Sequence, residues 1–371
     1  MARALGVIAN HVYHELSGGR IARPATERLA SSPALIAAAE ADDPTAARAA
    51  LVPLLRGQLV RVRITVAGRT LLEYGKTNAV APVSTPLKDA AGSTIGEITA
   101  SEQEVAGYAD TIHTIAGVQV LVSAGTRFLG GSARAAPSHI PSGGELSWRG
   151  TRYAVYSFPG TGFPKIALRT YLLAPVPRAS ACARTAAETA ADAIGVAAER
   201  IYREEQSGAQ AKVVVNDFER SRSFQEAVVS DDPPATEAAI VAFFKSTLHV
   251  VRVRATLGEK LVADVGGPHV LAPIRGDVRD ARGHIVGHFL LSVQDDLGYV
   301  ILAHRFAGVQ VFLSEGGRLL LGSTSPAPPD VPERGEVLYR GLPYRAYSFT
   351  AEAFPTGTLQ VRLLVPPVPG T

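Results

Sequence analysis

Two short β-branched runs carry arginines at alternating positions, Arg61 and Arg63 in the first and Arg252 and Arg254 in the second. A period of two puts Val60, Val62 and Ile64 on one strand face and both arginines on the other. Neighbouring guanidiniums on a strand can grip a carboxylate through paired N–H donors. The plain alternative is a solvated strand face with no partner. A second set of candidates lies on a helical stripe, where Val105, Tyr108, Ile112 and Ile115 share one side and His113 flanks them. This packs Tyr108, and its twin Tyr299, with the hydroxyl at the edge of the stripe, and both are candidate ligand contacts. His113 and His304 read as structural. A third set comes from a strand in which Tyr153, Val155 and Ser157 alternate with Tyr156 and Phe158. One side of that strand is core; the other, with Tyr156 and the matching Tyr347, is core as well or the wall of a pocket. Lys76 in Gly75-Lys76-Thr77-Asn78 and His269 in Gly266-Gly267-Pro268-His269 complete the candidates. The two loops match in position and differ in chemistry, so two pockets there would differ in specificity.

Catalytic signatures are poor. The chain has no Gly-x-Ser-x-Gly elbow, no P-loop and no His-Glu-x-x-His. The pairs Gly130-Gly131 and Gly143-Gly144 lack the strand-to-helix setting of a dinucleotide site. His11 and His14 are replaced by Arg200 and Arg203 in the second half, which argues against a shared metal site. The expectation is a binding protein with no catalytic residues, no metal and no cofactor; the alternative is a hydrolase assembled from dispersed residues.

The elements that must hold these residues come in two copies. The stretch from Gly107 to Ser132 returns from Gly298 to Ser323, with 14 of its 26 positions identical. The helix ALGVIANHVYHE faces AIGVAAERIYRE, and APVP near residue 175 faces PPVP at the end. A period near 190 residues is too long for a solenoid, so the reading is two domains of one fold, 1–177 and 178–371. The second copy opens on a helical run from Ala181, about a dozen residues before the position that matches Ala4. The first copy has no room for that turn, which suggests an N-terminus trimmed of a signal or anchor segment.

Within each copy the hydrophobic period changes once. Leu5, Ile8, Val12 and Leu16 repeat at helical spacing, and Ser32-Pro33 and Asp43-Pro44 each open a further helix. Beyond residue 60 the period becomes two, with a turn at Ala67-Gly68, a strand after Gly92, a helix over 102–116, paired strands about Ala124-Gly125, and strands near 144–149, 152–158 and 165–173. Helices first and antiparallel strands afterwards predict an α+β fold, each copy a helical segment followed by a mostly antiparallel sheet of five or six strands.

Composition sets outer bounds. Of 371 residues 46% are hydrophobic and 19% charged, which excludes a disordered chain. No apolar run reaches the length of a bilayer span. A net charge of +3 is too small for a nucleic-acid-binding surface. The single cysteine, Cys182, excludes an intramolecular disulfide and a cysteine-built metal site.

The segment from Arg28 through Gly75 resembles the entry to an extracytoplasmic Cache sensor domain: helix, short acidic turn, helix, then a strand hairpin with glycine at its turn. The later stretch LAPIRGDVRDARGHIVGHFLLSVQ is similar to that family's Asp–Gly–Gly strand, with Asp280, Gly283 and Gly287 in place and Asp89, Gly92 and Gly96 matching in the first copy. AGVQVFLSEGGRLLLGS and the closing hairpin from Tyr344 continue the resemblance over most of both copies. It implies a PAS-like sheet with ligand-covering loops on one face, a small-molecule pocket in one or both copies, a location outside the cytoplasm, and a membrane receptor or anchor as partner; the paired arginines favour an anionic metabolite as the ligand. A homodimer through the N-terminal helices is a further expectation, and a purely structural or interaction module is the alternative function.

Overall fold

The computed structural model describes residues 1–19, 21–55, 59–176, 185–247, 250–268 and 270–368. The chain forms two compact units, Met1–Ala183 and Arg184–Thr371, and the class is α+β. The two units share one order of elements, so each is described against the other by sequence position.

In the first unit a long helix, Ala2–Ser17, precedes three short ones, Ala22–Ala30, Pro33–Glu40 and Pro44–Leu51. The last begins at Asp43, whose carboxylate accepts from the Thr45 and Ala46 amides, and Pro44 occupies a first-turn site where no N–H is needed. The second unit repeats this with Ala186–Ser207, Ala209–Glu219, Arg222–Val229 and Pro233–Ser246. Its long helix is opened by a capping box: Thr185 receives the Glu188 amide while Glu188 returns to the Thr185 amide. Helices Ala22–Ala30 and Ala209–Glu219 are additions to the sequence reading. Pro24 looks like a breaker but sits in the first turn of its helix, where a proline costs nothing.

The strands do not form one sheet per copy, which corrects the expectation of a single sheet of five or six strands. In each unit they divide into two sheets. The first is four-stranded, ordered 69–75, 61–66, 94–101, 83–88, and in the second unit 260–266, 252–257, 285–292, 274–279. The three short helices cover one face of it. Their core is Leu29, Leu35 and Leu51 on Val62, Ile64 and Ile98 in the first unit. In the second unit a phenylalanine cluster takes that place, with Phe218 and Phe224 4.2 Å apart and Phe289 4.9 Å from Phe218. Gly276 makes room for it, because a Cβ there would meet the Phe289 ring at 2.1 Å.

The second sheet of the first unit runs 103–104, 79–80, 151–162, 166–175, 119–124, 127–131, with 143–148 added beside 151–162. The second unit has the matching five strands 318–322, 310–315, 358–365, 342–352 and 334–339, while 270–271 and 294–295 pair apart and touch them through a bridge from Leu271 to Ala353. The long helix and the helix Val105–Ala116 (Asp296–Ala307 in the second unit) cover one face of this sheet. The chain passes between the sheets at corners that carry no glycine: Ala81 at φ +50° and Ala272 at φ +54°. The expected helix over 102–116 starts at Val105 because Gln103–Glu104 are taken up as a strand pairing with Ala79–Val80.

The Asp–Gly–Gly pattern is structural. Gly92 and Gly283 turn the hairpin at φ +85°, and the Asp89 and Asp280 carboxylates accept from amides within that turn. Gly96 and Gly287 allow close strand approach, since a Cβ at either would lie 2.0 Å from a carbonyl oxygen, of Thr65 or Thr256.

Candidate ligand-binding site

The arginine pairs face away from the short helices, as alternation requires, and each finds a carboxylate of its own chain. Register sets Arg63 opposite Glu73 and Arg254 opposite Asp264. Arg63 donates to Glu73 Oε2 from Nε at 3.0 Å and Nη2 at 2.6 Å, and Arg61 takes Oε1 and the Thr77 carbonyl. In the second unit Arg252 holds Asp264 through Nε at 2.8 Å and Nη2 at 3.0 Å, and it donates to the Gly267 carbonyl at 3.0 Å. Arg254 lies 3.6 Å from the same carboxylate. Phe163 and Phe354 back the guanidiniums of Arg61 and Arg252 at 4.8 and 4.9 Å. Burial pushes the Glu73 carboxyl up, but hydrogen bonds and charge from Arg61 and Arg63 outweigh this and hold it below its ordinary value. The geometry is a carboxylate grip, and the carboxylate it holds is internal.

The other candidates scatter. Lys76 pairs with Glu104 at 2.9 Å on the surface. His269 lies outside the described residues. Tyr108 and Tyr299 are fully buried, and burial raises both phenols well above their ordinary range. Their hydroxyls meet Thr170 Oγ1 at 3.4 Å and the Ala198 carbonyl at 3.2 Å. His113 and His304 close their helix ends on the Val118 and Val309 carbonyls, at 2.7 and 2.8 Å. Tyr156 packs flat against Gly6 of the long helix, and Tyr347 against Gly195; a Cβ at these glycines would come within 2.3 and 2.1 Å of the rings. The Tyr347 hydroxyl donates to Glu199 at 3.0 Å, and burial together with that carboxylate pushes its pKa up to about 12.

Among the described candidates, Tyr347 leads to an open site. The Arg334 guanidinium stacks on its ring at 3.8 Å, and Arg334 lines a cleft of about 360 Å³. One wall is the start of the long helix, with Glu188, Ala191 and Asp192; the other is the strand pair 334–339 and 342–352, with Arg334, Gly335 and Arg345. A second cavity of about 220 Å³ adjoins through Ala191 and Arg345 and adds apolar wall from Pro343, Tyr344 and Val365. The charges face each other across the opening without closing it. Arg334 Nε is 3.5 Å from Asp192 and Arg345 Nη1 is 3.7 Å from Glu188, while the tighter bond of Arg345 goes sideways to Glu336 at 2.9 Å. Strand register gives the first-unit counterparts of Arg334 and Arg345 as Gly143 and Ala154. This cleft belongs to the second unit, and self-comparison passed over it because it sits where the copies differ. The signal available in the sequence is a pair of arginines present in one copy alone, on adjoining strands.

No family model matches the chain, and no curated protein does. Among solved structures it is similar to an extracellular ligand binding receptor from Desulfohalobium retbaense DSM5692, with 11% identity and a TM-score of 0.27 over 60% of this chain. The match spans about half of that receptor, 47% of its length.

A third hollow of about 440 Å³ runs past Gly267 and Pro268 between Val270, Leu297 and Leu320. Asp295 at its end is engaged as a helix cap, accepting from the Gly298 amide at 2.6 Å.

Proposed function

We propose that the protein binds a small molecule without transforming it, outside the cytoplasm, and that the second unit's charged cleft is the binding site. The observation that carries this is the pairing of two arginines with two carboxylates across a cleft of about 360 Å³, a size suited to a small ligand. The cross-cleft pairs, at 3.5 and 3.7 Å, are longer than the hydrogen bonds of Arg63 to Glu73 and of Arg252 to Asp264, so a ligand with both charges can replace them without stranding a partner. Its carboxylate meets Arg334 and Arg345, its ammonium meets Glu188 and Asp192, and its side chain enters the apolar annex beside Tyr344 and Val365. The ligand class is therefore a zwitterion of amino-acid size. The resemblance to Cache sensors supports the extracytoplasmic setting and a membrane-borne receptor or anchor as partner.

The test is calorimetric titration of the full chain with a panel of amino acids, their deaminated acids and their decarboxylated amines. A zwitterion is expected to bind more tightly than either half, with binding lost in Arg345→Ala. No heat from any zwitterion, or binding unchanged in both Arg334→Ala and Arg345→Ala, would falsify the assignment.

An interaction module is the second reading. It is favoured by the hairpin Leu338–Leu342, which leaves Leu338 76% and Leu342 58% exposed. Light scattering of the wild type beside Leu338→Ser separates this reading from the first.

A further inference from the structure

The face of the first unit's second sheet that points away from its helices carries Leu121, Val155 and Leu173, and the segment 132–142 folds back over it. Ser132 and Ser142 anchor the two ends of this strap. The Ser132 hydroxyl accepts from the Val120 amide at 2.8 Å, and the Ser142 carbonyl receives the Ser157 hydroxyl at 2.8 Å. Between the anchors the strap is seated by Ala133, Ala136 and Ile140 on Phe128, Trp148 and Tyr171. Beneath it lies a cavity of about 230 Å³, walled by Leu121, Phe128, Tyr171 and the strap residues Pro137 and Ile140.

Ser123, Thr126, Ser138 and His139 bring polar groups into that wall. Ser123 is 8% exposed, lines the cavity, and its Oγ is buried with no hydrogen-bond partner. A hydroxyl can donate once and accept twice, and leaving it unpaired away from water is costly. Buried polar groups without partners are uncommon, and each calls for an explanation such as a bound group.

The second unit closes the same place differently. Tyr339 stands where the first unit has Trp148, and its hydroxyl donates to the Pro326 carbonyl at 2.6 Å; Arg340 reaches the Ser325 carbonyl. Val331 of that strap is buried among Phe312, Tyr339 and Leu364. Trp148 carries no hydroxyl to donate to the carbonyl of Ala135, the counterpart of Pro326, so the first unit's strap lacks the Tyr339-type hydrogen bond that holds its twin down.

We propose that the cavity under residues 133–140 is a second ligand site, distinct from the charged cleft and independent of it. Its ligand is a small ring or branched alkyl group carrying one hydroxyl or carbonyl, with Ser123 Oγ as the hydrogen-bond partner. A dry cavity of about 150 Å³ already admits a benzene ring, so about 230 Å³ accommodates a six-membered ring with a polar substituent.

The single tryptophan of the chain is Trp148, which belongs to the cluster that seats the strap, so its fluorescence reports occupancy. The probe is cyclohexanol, which does not absorb in the tryptophan range, with cyclohexane as the ring lacking the hydroxyl. Titration of the full chain is expected to give a saturable change in Trp148 emission and a rise in Tm. Ser123→Ala should weaken cyclohexanol about threefold to tenfold, the loss of one hydrogen bond, and leave cyclohexane unchanged. Ala136→Leu, which fills the cavity from the strap, should abolish both responses while the far-ultraviolet circular dichroism stays native. The proposal is overturned by a response that never saturates in emission or Tm, or by saturable binding that neither variant alters.

Discussion

Arg252→Ala distinguishes an arginine that grips a ligand from one that grips its own sheet. The side chains of Arg252 and Asp264 are 18% and 20% exposed and share two charge-assisted hydrogen bonds. Breaking a fully buried pair costs about 3–5 kcal/mol and an exposed one about 0–1. One-fifth exposure, and Arg254 remaining 3.6 Å from the carboxylate, bring the expected loss to roughly 2–3 kcal/mol. Removing the guanidinium from the Phe354 face, 4.9 Å away, adds about 0.5–1 kcal/mol, and the Gly267 carbonyl loses its donor. The sum is about 3 kcal/mol, which for a unit of this size lowers Tm by about 6–12 °C. Differential scanning calorimetry of the full chain measures it, with Arg345→Ala as the comparison. Among the described residues Arg345 pairs with Glu188 across the cleft and Glu336 at its rim, and its loss should cost no more than about 1 kcal/mol. If Arg252→Ala melts with the wild type but loses a ligand response, the arginines serve a ligand and the internal grip described above is wrong.

Three further outcomes follow from the same geometry. Gly195→Ala should destabilise by about 1–3 kcal/mol through the clash with the Tyr347 ring, although alanine is the better helix former by about 1 kcal/mol; urea denaturation should show recovery in the double variant with Tyr347→Leu. Glu73 has a folded pKa below its ordinary 4.5, so its stabilisation is complete above that value and fades as pH falls through the folded pKa. The stability gap between wild type and Glu73→Gln should therefore be constant above about pH 5.5 and shrink below 4.5; a gap that widens in acid contradicts the arginine grip. Without ligand, Ser123→Ala should raise stability by up to about 1 kcal/mol, because it removes an unpaired buried hydroxyl. A fall of similar size would place a hydrogen bond where the structure has none.

Much of the fold is legible from period and punctuation, and the failures have identifiable causes. The switch from helical spacing to alternation marks the α+β class, and alternation assigns Arg61 and Arg63 to the right face. It cannot show that Glu73 waits there. Counting back from the turn at Ala67-Gly68 along a straight ladder sets Leu72 opposite Arg63. A bulge between Ile64 and Thr65 shifts the register by one and delivers Glu73 instead. The same bulge between Ala255 and Thr256 delivers Asp264. A bulge in a strand leaves no composition signal when neither side of it is glycine, so an occupied carboxylate grip reads as an open one. The division into two sheets is hidden for a related reason. It depends on two-residue strands such as Ala79–Val80 and on corners at Ala81 and Ala272, where an alanine holds the backbone that a glycine would have advertised.

The candidate sites escaped because self-comparison weights what the copies share. Shared residues here build scaffold: Gly6 and Gly195 seat the sheet tyrosines, His113 and His304 close helices, and the arginines hold carboxylates. The open cavities lie where the copies have diverged. Arg334 and Arg345 stand where the first copy has Gly143 and Ala154 and charge one cleft, while Trp148 in place of Tyr339 leaves the strap over Ser123 without the hydroxyl that pins its twin. After duplication, the second copy relieves the first of whatever the common fold does not require. The differences between aligned copies are therefore the better guide to binding, and here they point to two sites of unlike chemistry, one charged on both sides and one of mixed lining with a buried, unpaired hydroxyl.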